Sequence, residues 1–170
     1  MAGGGGAMIR SLAIALLCTV CLATSGALAA DVEPRAFRVD SMPAIRAEQA
    51  GKPFVLALWS VYCEPCRDEL ALLGQFKAAN PSLPVILVAA DPPEDAPSIA
   101  SVLAQYDLDG IEHWAYADAF EEPLRYAIDP RWRGELPRAY LFDADHQKTV
   151  VVGRLDREAL NNWLATTQRR

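Results

Sequence analysis

Cys63 and Cys66 flank Glu64-Pro65, a spacing at which two thiols can close a disulfide or hold one soft metal ion. A thiolate at the first position attacks disulfides, and a thiol three residues on is close enough to displace what the first has captured. Pro65 suits a first helical turn, where its missing N–H costs nothing, so a helix is expected to begin at the pair. Cys63 then lies at a helix N-terminus, where free N–H groups and the positive end of the dipole favour thiolate over thiol. Trp59 and Tyr62 are expected to shield one side of the pair and leave the Cys63 sulfur accessible. Glu64 acts in the opposite sense to the dipole. A carboxylate beside Cys63 raises the thiol pKa and makes the disulfide a weaker oxidant, which points to a reductant.

Other chemistries use the same residues. An inert disulfide closing so short a loop would add little stability. Structural zinc wants four ligands, and only His113 and His146 remain, at unhelpful spacings; each reads as a surface or turn residue. The alternative from a different class is a copper-handling module that binds Cu(I) through Cys63 and Cys66 without redox turnover. It lacks a neighbouring His or Met, since Met42 lies outside the motif.

The elements that must position the pair alternate along the chain. Phe54–Trp59 is a continuous apolar run, the pattern of a strand buried on both faces, and it leads directly into the pair. Pro65–Ala79 is helical in pattern, with Leu70, Leu73 and Phe76 at three-residue steps. Pro84–Ala90 is a second buried strand that stops at Asp91-Pro92-Pro93. Ser98–Tyr106 reads as a helix, Trp114–Ala117 as a short strand and Pro123–Ile128 as one or two helical turns. Ala139–Phe142, a turn at Asp143–Asp145 and Thr149–Val152 form a β-hairpin. Asp156 caps a last helix with an apolar face of Leu160, Trp163 and Leu164. Ala36–Val39 and Met42–Ala50 are weaker candidates for a strand and a helix. The pattern is that of an α/β domain with a mixed sheet flanked by helices.

Residues 1–30 read as an address rather than as structure. Arg10 is their only charge, an apolar run from Leu12 to Ala23 follows, and Ala27-Leu28-Ala29 makes an A-x-A ending ahead of Asp31. Cleavage after Ala29 or Ala30 is expected, with a domain over residues 31–170 exported to the periplasm; if the leader is retained, it serves as a membrane anchor. Cys18 and Cys21 fall inside this leader with no strand behind them, so their C-x-x-C spacing is a decoy. Export favours disulfide chemistry at the remaining pair.

Composition agrees. The 170 residues suit one domain, and 52% hydrophobic against 22% charged residues excludes general disorder. The net charge of −6, one unit more negative without the leader, argues against nucleic acid as a partner.

In combination these motifs resemble the thioredoxin superfamily, and within it the exported TlpA/ResA-type thiol–disulfide oxidoreductases. The matching residues are Phe54–Trp59, Cys63–Cys66, Leu136-Pro137, Ala139–Phe142 and Gly153, so the resemblance covers the chain from about Lys52 onward. It implies a thioredoxin-like fold with Cys63 as nucleophile and Cys66 as the resolving thiol. It also implies a cis Pro137 facing the pair and orienting the substrate disulfide, with Trp59, Glu64, Pro65 and Leu136 as motif and positioning residues. No cofactor or metal is implied beyond the Cys63–Cys66 disulfide. The implied partners are exported protein thiols and disulfides, such as apocytochrome c or metal-site thiols, and an electron-donating thiol–disulfide interchange protein of the membrane. A monomer is expected.

Cys63 and Pro137 are 74 positions apart, longer than in a plain thioredoxin, which fits a TlpA-type strand–helix insertion over Asp95–Ala119. Three features depart from the pattern. Ala57 stands where many thioredoxins keep a buried acid serving the resolving thiol, leaving that proton to water or to Glu64. Leu136 is bulkier than the Thr often found before the cis proline. The run Asp129–Glu135 is long and reads as a solvated loop, with partner contact through Arg131, Trp132 and Arg133 as the alternative.

Overall fold

The computed structural model describes residues 33–118 and 120–167; the leader, Cys18, Cys21 and Ala119 lie outside them. In chain order the elements are β1 (Arg35–Phe37), α1 (Ser41–Glu48), β2 (Phe54–Trp59), α2 (Glu64–Ala79), β3 (Val85–Ala89), α3 (Ala96–Ala104), β4 (His113–Tyr116), α4 (Glu121–Ile128), β5 (Arg138–Phe142), β6 (Lys148–Val152) and α5 (Arg157–Thr167). They build one six-stranded sheet in the order β1-β4-β3-β2-β5-β6. The first four strands in that order are parallel, and β5 and β6 close the sheet as an antiparallel hairpin.

The continuous apolar runs of β2 and β3 are explained by burial on two faces. Val55, Ala57 and Trp59 point to one side, where Leu70, Leu73 and Phe76 of α2, Ile99 and Leu103 of α3, and Leu160 and Trp163 of α5 cover them. Phe54, Leu56 and Leu58 point to the other, against Met42 and Ile45 of α1 and Leu124 and Ile128 of α4. Helix α2 approaches the chain after α3 so closely that a Cβ at Gly74 would overlap the Tyr106 carbonyl oxygen. Asp156 caps α5 as its sequence suggests, accepting the Ala159 N–H at 2.7 Å.

The weaker expectations shift by a few residues. The first strand is only Arg35–Phe37, with Val39 exposed, and the first helix is Ser41–Glu48. Helix α3 begins at Ala96 with Pro97 in its first turn and stops before Tyr106. The longer segment between β3 and the cis proline contributes α3 and β4, and β4 takes a place inside the sheet between β1 and β3. His113, expected at the surface, is buried in β4 with its Nδ1 at 2.9 Å from the Ile111 carbonyl. His146 does lie in a turn, at φ 59°, with Nε2 at 3.0 Å from the Gln49 carbonyl.

Candidate active site

Strand β2 delivers the chain to the carboxyl end of the sheet at Trp59, and α2 starts five residues later with Cys63 as its N-cap and Pro65 in its first turn. The connecting loop is held by one buried acid. Asp91, 1% exposed at the end of β3, accepts the Ser60 hydroxyl at 2.6 Å and the Val61 N–H at 3.0 Å. Ser60 in turn accepts the Tyr62 N–H on its hydroxyl and the Cys63 N–H on its carbonyl, each at 3.1 Å. Burial pushes the Asp91 carboxyl above its ordinary range, although the bonds from Ser60 and Val61 oppose this.

Cys63 and Cys66 are joined as a disulfide with their Cα atoms 5.3 Å apart. The two sulfurs are not equivalent to an incoming molecule. Cys66 is 0% exposed and packs in the core cluster that includes Trp59, whereas Cys63 is half-buried at the edge of that cluster. Glu64 and Pro65 between them are exposed. Tyr62 is 79% exposed, its hydroxyl donating to Asp95 at 3.2 Å, whereas Trp59 is buried in the core cluster with Cys66.

The Leu136–Pro137 peptide bond is cis and immediately precedes β5, which runs antiparallel to β2, so Pro137 reaches the same end of the sheet as the cysteines. Leu136 is half-buried and touches both core clusters. The Pro137 carbonyl accepts the N–H of Gly153, whose φ of 80° belongs to the left-handed region.

The segment leading to Pro137 is not a solvated loop throughout. Trp132 is buried in the core face under α1 and α4 and donates its indole N–H to the Glu135 carbonyl at 2.9 Å, while Arg131 and Arg133 remain exposed. Arg138, only 5% exposed, anchors the segment from behind. It donates to Tyr140 and Glu135, each at 2.7 Å, and lies 3.5 Å from Asp129. Burial works against the Asp129 carboxylate, but the Arg131 amide and Lys148, whose Nζ is at 3.2 Å, outweigh it and hold the carboxyl below the usual range. Removing the guanidinium with Arg138→Met leaves buried acceptors facing an apolar chain. We expect a loss on the order of 3 kcal/mol in denaturant unfolding. Arg138→Met/Asp129→Asn should cost less than the sum of its single variants, because the two side chains share one network.

A buried acid does stand near the pair, on α2 rather than on β2. Glu69 lies one turn beyond Cys66 on the same face of α2, 3% exposed, and accepts the Leu155 N–H at 2.9 Å. Burial pushes its carboxyl up to about 7 against the opposing effect of that bond. The sequence carries a signal for it: an acid on the stripe Cys66, Leu70, Leu73, Phe76 must point inward.

Comparison with protein-family models and with curated proteins finds no match. Comparison with solved structures does. The chain is similar to a secreted Mycobacterium tuberculosis disulfide oxidoreductase homologous to E. coli DsbE, at 25% identity over 71% of this chain and 85% of that one, with a TM-score of 0.58. A thiol:disulfide interchange protein of the thioredoxin family from Chlorobium tepidum matches at 20% identity, over 72% and 83% of the two chains, TM-score 0.56. StoA from Bacillus subtilis matches at 18%, over 68% and 84%, TM-score 0.53. The latter two speak for the fold, and the first for the chemistry that a cysteine pair at the head of α2 can perform. On both grounds the chain has the thioredoxin-like fold of the structures it resembles and is a thiol–disulfide oxidoreductase.

Proposed function

We propose that the protein reduces disulfides of exported proteins, with Cys63 as the attacking thiolate and Cys66 as the resolving thiol. The carrying observation is the asymmetry of the pair: a half-buried sulfur at the N-cap of α2 and a fully buried one a turn inward. In the first step the Cys63 thiolate bonds to one client sulfur, and the other leaves with the electron pair and takes up a proton. Cys66 then gives up its proton and attacks the Cys63 sulfur. The internal disulfide forms, and the client leaves with both sulfurs reduced, two electrons richer. A dithiol donor must restore the pair, and an electron-donating thiol–disulfide interchange protein of the membrane fits that need.

Export to the periplasm rests on residues 1–30 reading as a leader, and the similar Mycobacterium protein is itself secreted. Apocytochrome c and exported metal-site thiols are clients of the right class, since both must be reduced before a haem or a metal is attached. Leu136 and Pro137 stand at the end of the sheet where a client segment would lie against the pair. Trp59, Glu64 and Pro65 frame the pair from the strand and helix sides.

Redox equilibrium with glutathione tests the reading. A reductant should poise nearer thioredoxin, at about −270 mV, than the strong oxidant DsbA at about −120 mV. A value near the latter would reverse the proposed direction, and failure to equilibrate would remove the exchange itself. Glu64 provides an internal check. Neutralising the exposed carboxylate with Glu64→Gln should stabilise the Cys63 thiolate and raise the potential by about 10–20 mV, a fraction of a kcal/mol on the two-electron scale.

A further inference from the structure

Helix α2 carries one guanidinium that has no acid beside it. Arg67 is half-buried, four residues beyond Cys63, and a helical side chain leans back toward the helix N-terminus. Its Nη2 donates to the Val61 carbonyl at 3.3 Å, which turns the guanidinium toward the loop that leads to Cys63. That is its only hydrogen bond among the described residues, and a guanidinium has five N–H groups to give. The nearby acids are engaged elsewhere or stand apart. Asp68 pairs with Arg154 at 2.6 Å, Asp95 accepts the Tyr62 hydroxyl, and Asp91 closes on Ser60 and Val61. Glu64, three residues earlier on the helix, makes no ion pair with Arg67.

Arg67 borders a groove of about 400 Å³ between the head of α2 and α3. Val61 and Tyr62 line it on the same side, and Pro97, Ser98 and Ser101 line it from α3; Arg67 is the one charged residue of the lining. Helix α3 adds no charge because none of its nine residues carries one. Ile99, Val102 and Leu103 are buried in the core, which leaves Pro97, Ser98, Ser101 and Ala104 exposed. The solvent face of a surface helix ordinarily carries charged residues. An uncharged face opposite an unpaired cation complements a carboxylate. The guanidinium can hold both of its oxygens, and the hydroxyls of Ser98 and Ser101 are further donors. Tyr62, next to Cys63 in the chain and 79% exposed, joins the groove to the redox pair.

We propose that this groove is a subsite for a glutamate or aspartate side chain of the polypeptide whose sulfur Cys63 engages. The inference rests on the exchange reading above and names a feature of the client. It is tested with the Cys66→Ser protein and synthetic peptides whose single cysteine is capped by a coloured aryl thiolate. The Cys63 thiolate bonds to the peptide sulfur, the peptide–aryl disulfide breaks, and the aryl thiolate leaves with the electron pair. Peptides with glutamate at each flanking position are compared with their glutamine counterparts. The ratio of the two rates is taken within each protein variant, so a change in the reactivity of Cys63 itself cancels.

The best-placed glutamate should speed capture about threefold at low ionic strength, the worth of one exposed ion pair, and salt should reduce the advantage. At the other positions the protein, with its net charge of −6, repels the added carboxylate, so glutamate should be neutral or slower there. Arg67→Gln should bring the ratio at the best position to one or below. Ser101→Glu, an exposed change on α3, sets a carboxylate of the protein's own in the groove and should do the same. Equal or slower capture of every glutamate peptide overturns the subsite and leaves the exchange reading in place. A glutamate preference that survives either substitution has its source elsewhere and also overturns it. Capture of no peptide overturns the exchange reading, and the subsite with it.

Discussion

Cys66→Ser turns the protein into a trap that holds its client through Cys63, and Cys63→Ser abolishes exchange. The expectation follows from access and from proximity. Cys66 is 0% exposed, so a client sulfur cannot reach it in the folded protein, whereas Cys63 lies half-open at the N-cap of α2. Once Cys63 has bonded to a client, resolution by Cys66 is intramolecular, and well-oriented groups of that kind act as though present at about 10⁵ M or more. A serine there cannot attack a disulfide, and residues 31–170 contain no other cysteine to replace it. Turnover should fall by at least about 10³-fold, with stoichiometric mixed disulfide visible as a mass increase that dithiothreitol removes. Cys63→Ser should give neither turnover nor adduct. An adduct forming as readily through Cys66 would reverse the two roles.

The pair and its support were legible because they are local. A continuous apolar strand, a proline in the first turn and two cysteines on one helical turn fix that stretch without reference to the rest of the chain, and β2 and α2 fall within one residue of expectation. Leu136-Pro137 was also legible, but through resemblance rather than pattern, and its peptide bond is cis. What local patterns cannot carry is which distant residues meet. Asp91 reads as the end of a strand, and nothing in its neighbourhood shows that its carboxylate closes on Ser60 and Val61, some thirty positions earlier. Trp132 sits between two exposed arginines and reads as solvated; only the packing of α1 and α4 on the sheet makes a pocket for it. His113 was misplaced for a related reason, since a polar residue at the start of a short strand gives no sign that strands will flank it on both sides.

Glu69 was within reach of the sequence and carries the second large expectation. Resolution requires the Cys66 thiol to lose a proton where water has no access. Glu69 stands one turn along the same helical face, buried, with its carboxyl at about 7. A base is most effective when its pKa lies near the working pH, so this acid is suited to receive the proton. Glu69→Gln keeps an oxygen for the Leu155 N–H and deletes the base. Capture by Cys63 should change little, while resolution slows by about 10²–10⁴-fold and loses its rise through neutral pH, measured by rapid acid quench of the mixed disulfide.

Stability should move in the opposite direction. The carboxyl rises from 4.5 to about 7 on folding, so its contribution is fully present below about 4.5 and is lost as pH increases through about 7. The loss reaches about 3 kcal/mol at most. The glutamine variant does not titrate, so it should match the parent in acid and exceed it above neutral pH in denaturant unfolding. A residue that served only to pack α2 against Leu155 would make the variant less stable without selectively slowing resolution. A variant both more stable in base and slower to resolve its mixed disulfide identifies Glu69 as the acceptor of the Cys66 proton, and an unchanged resolution rate rejects that role.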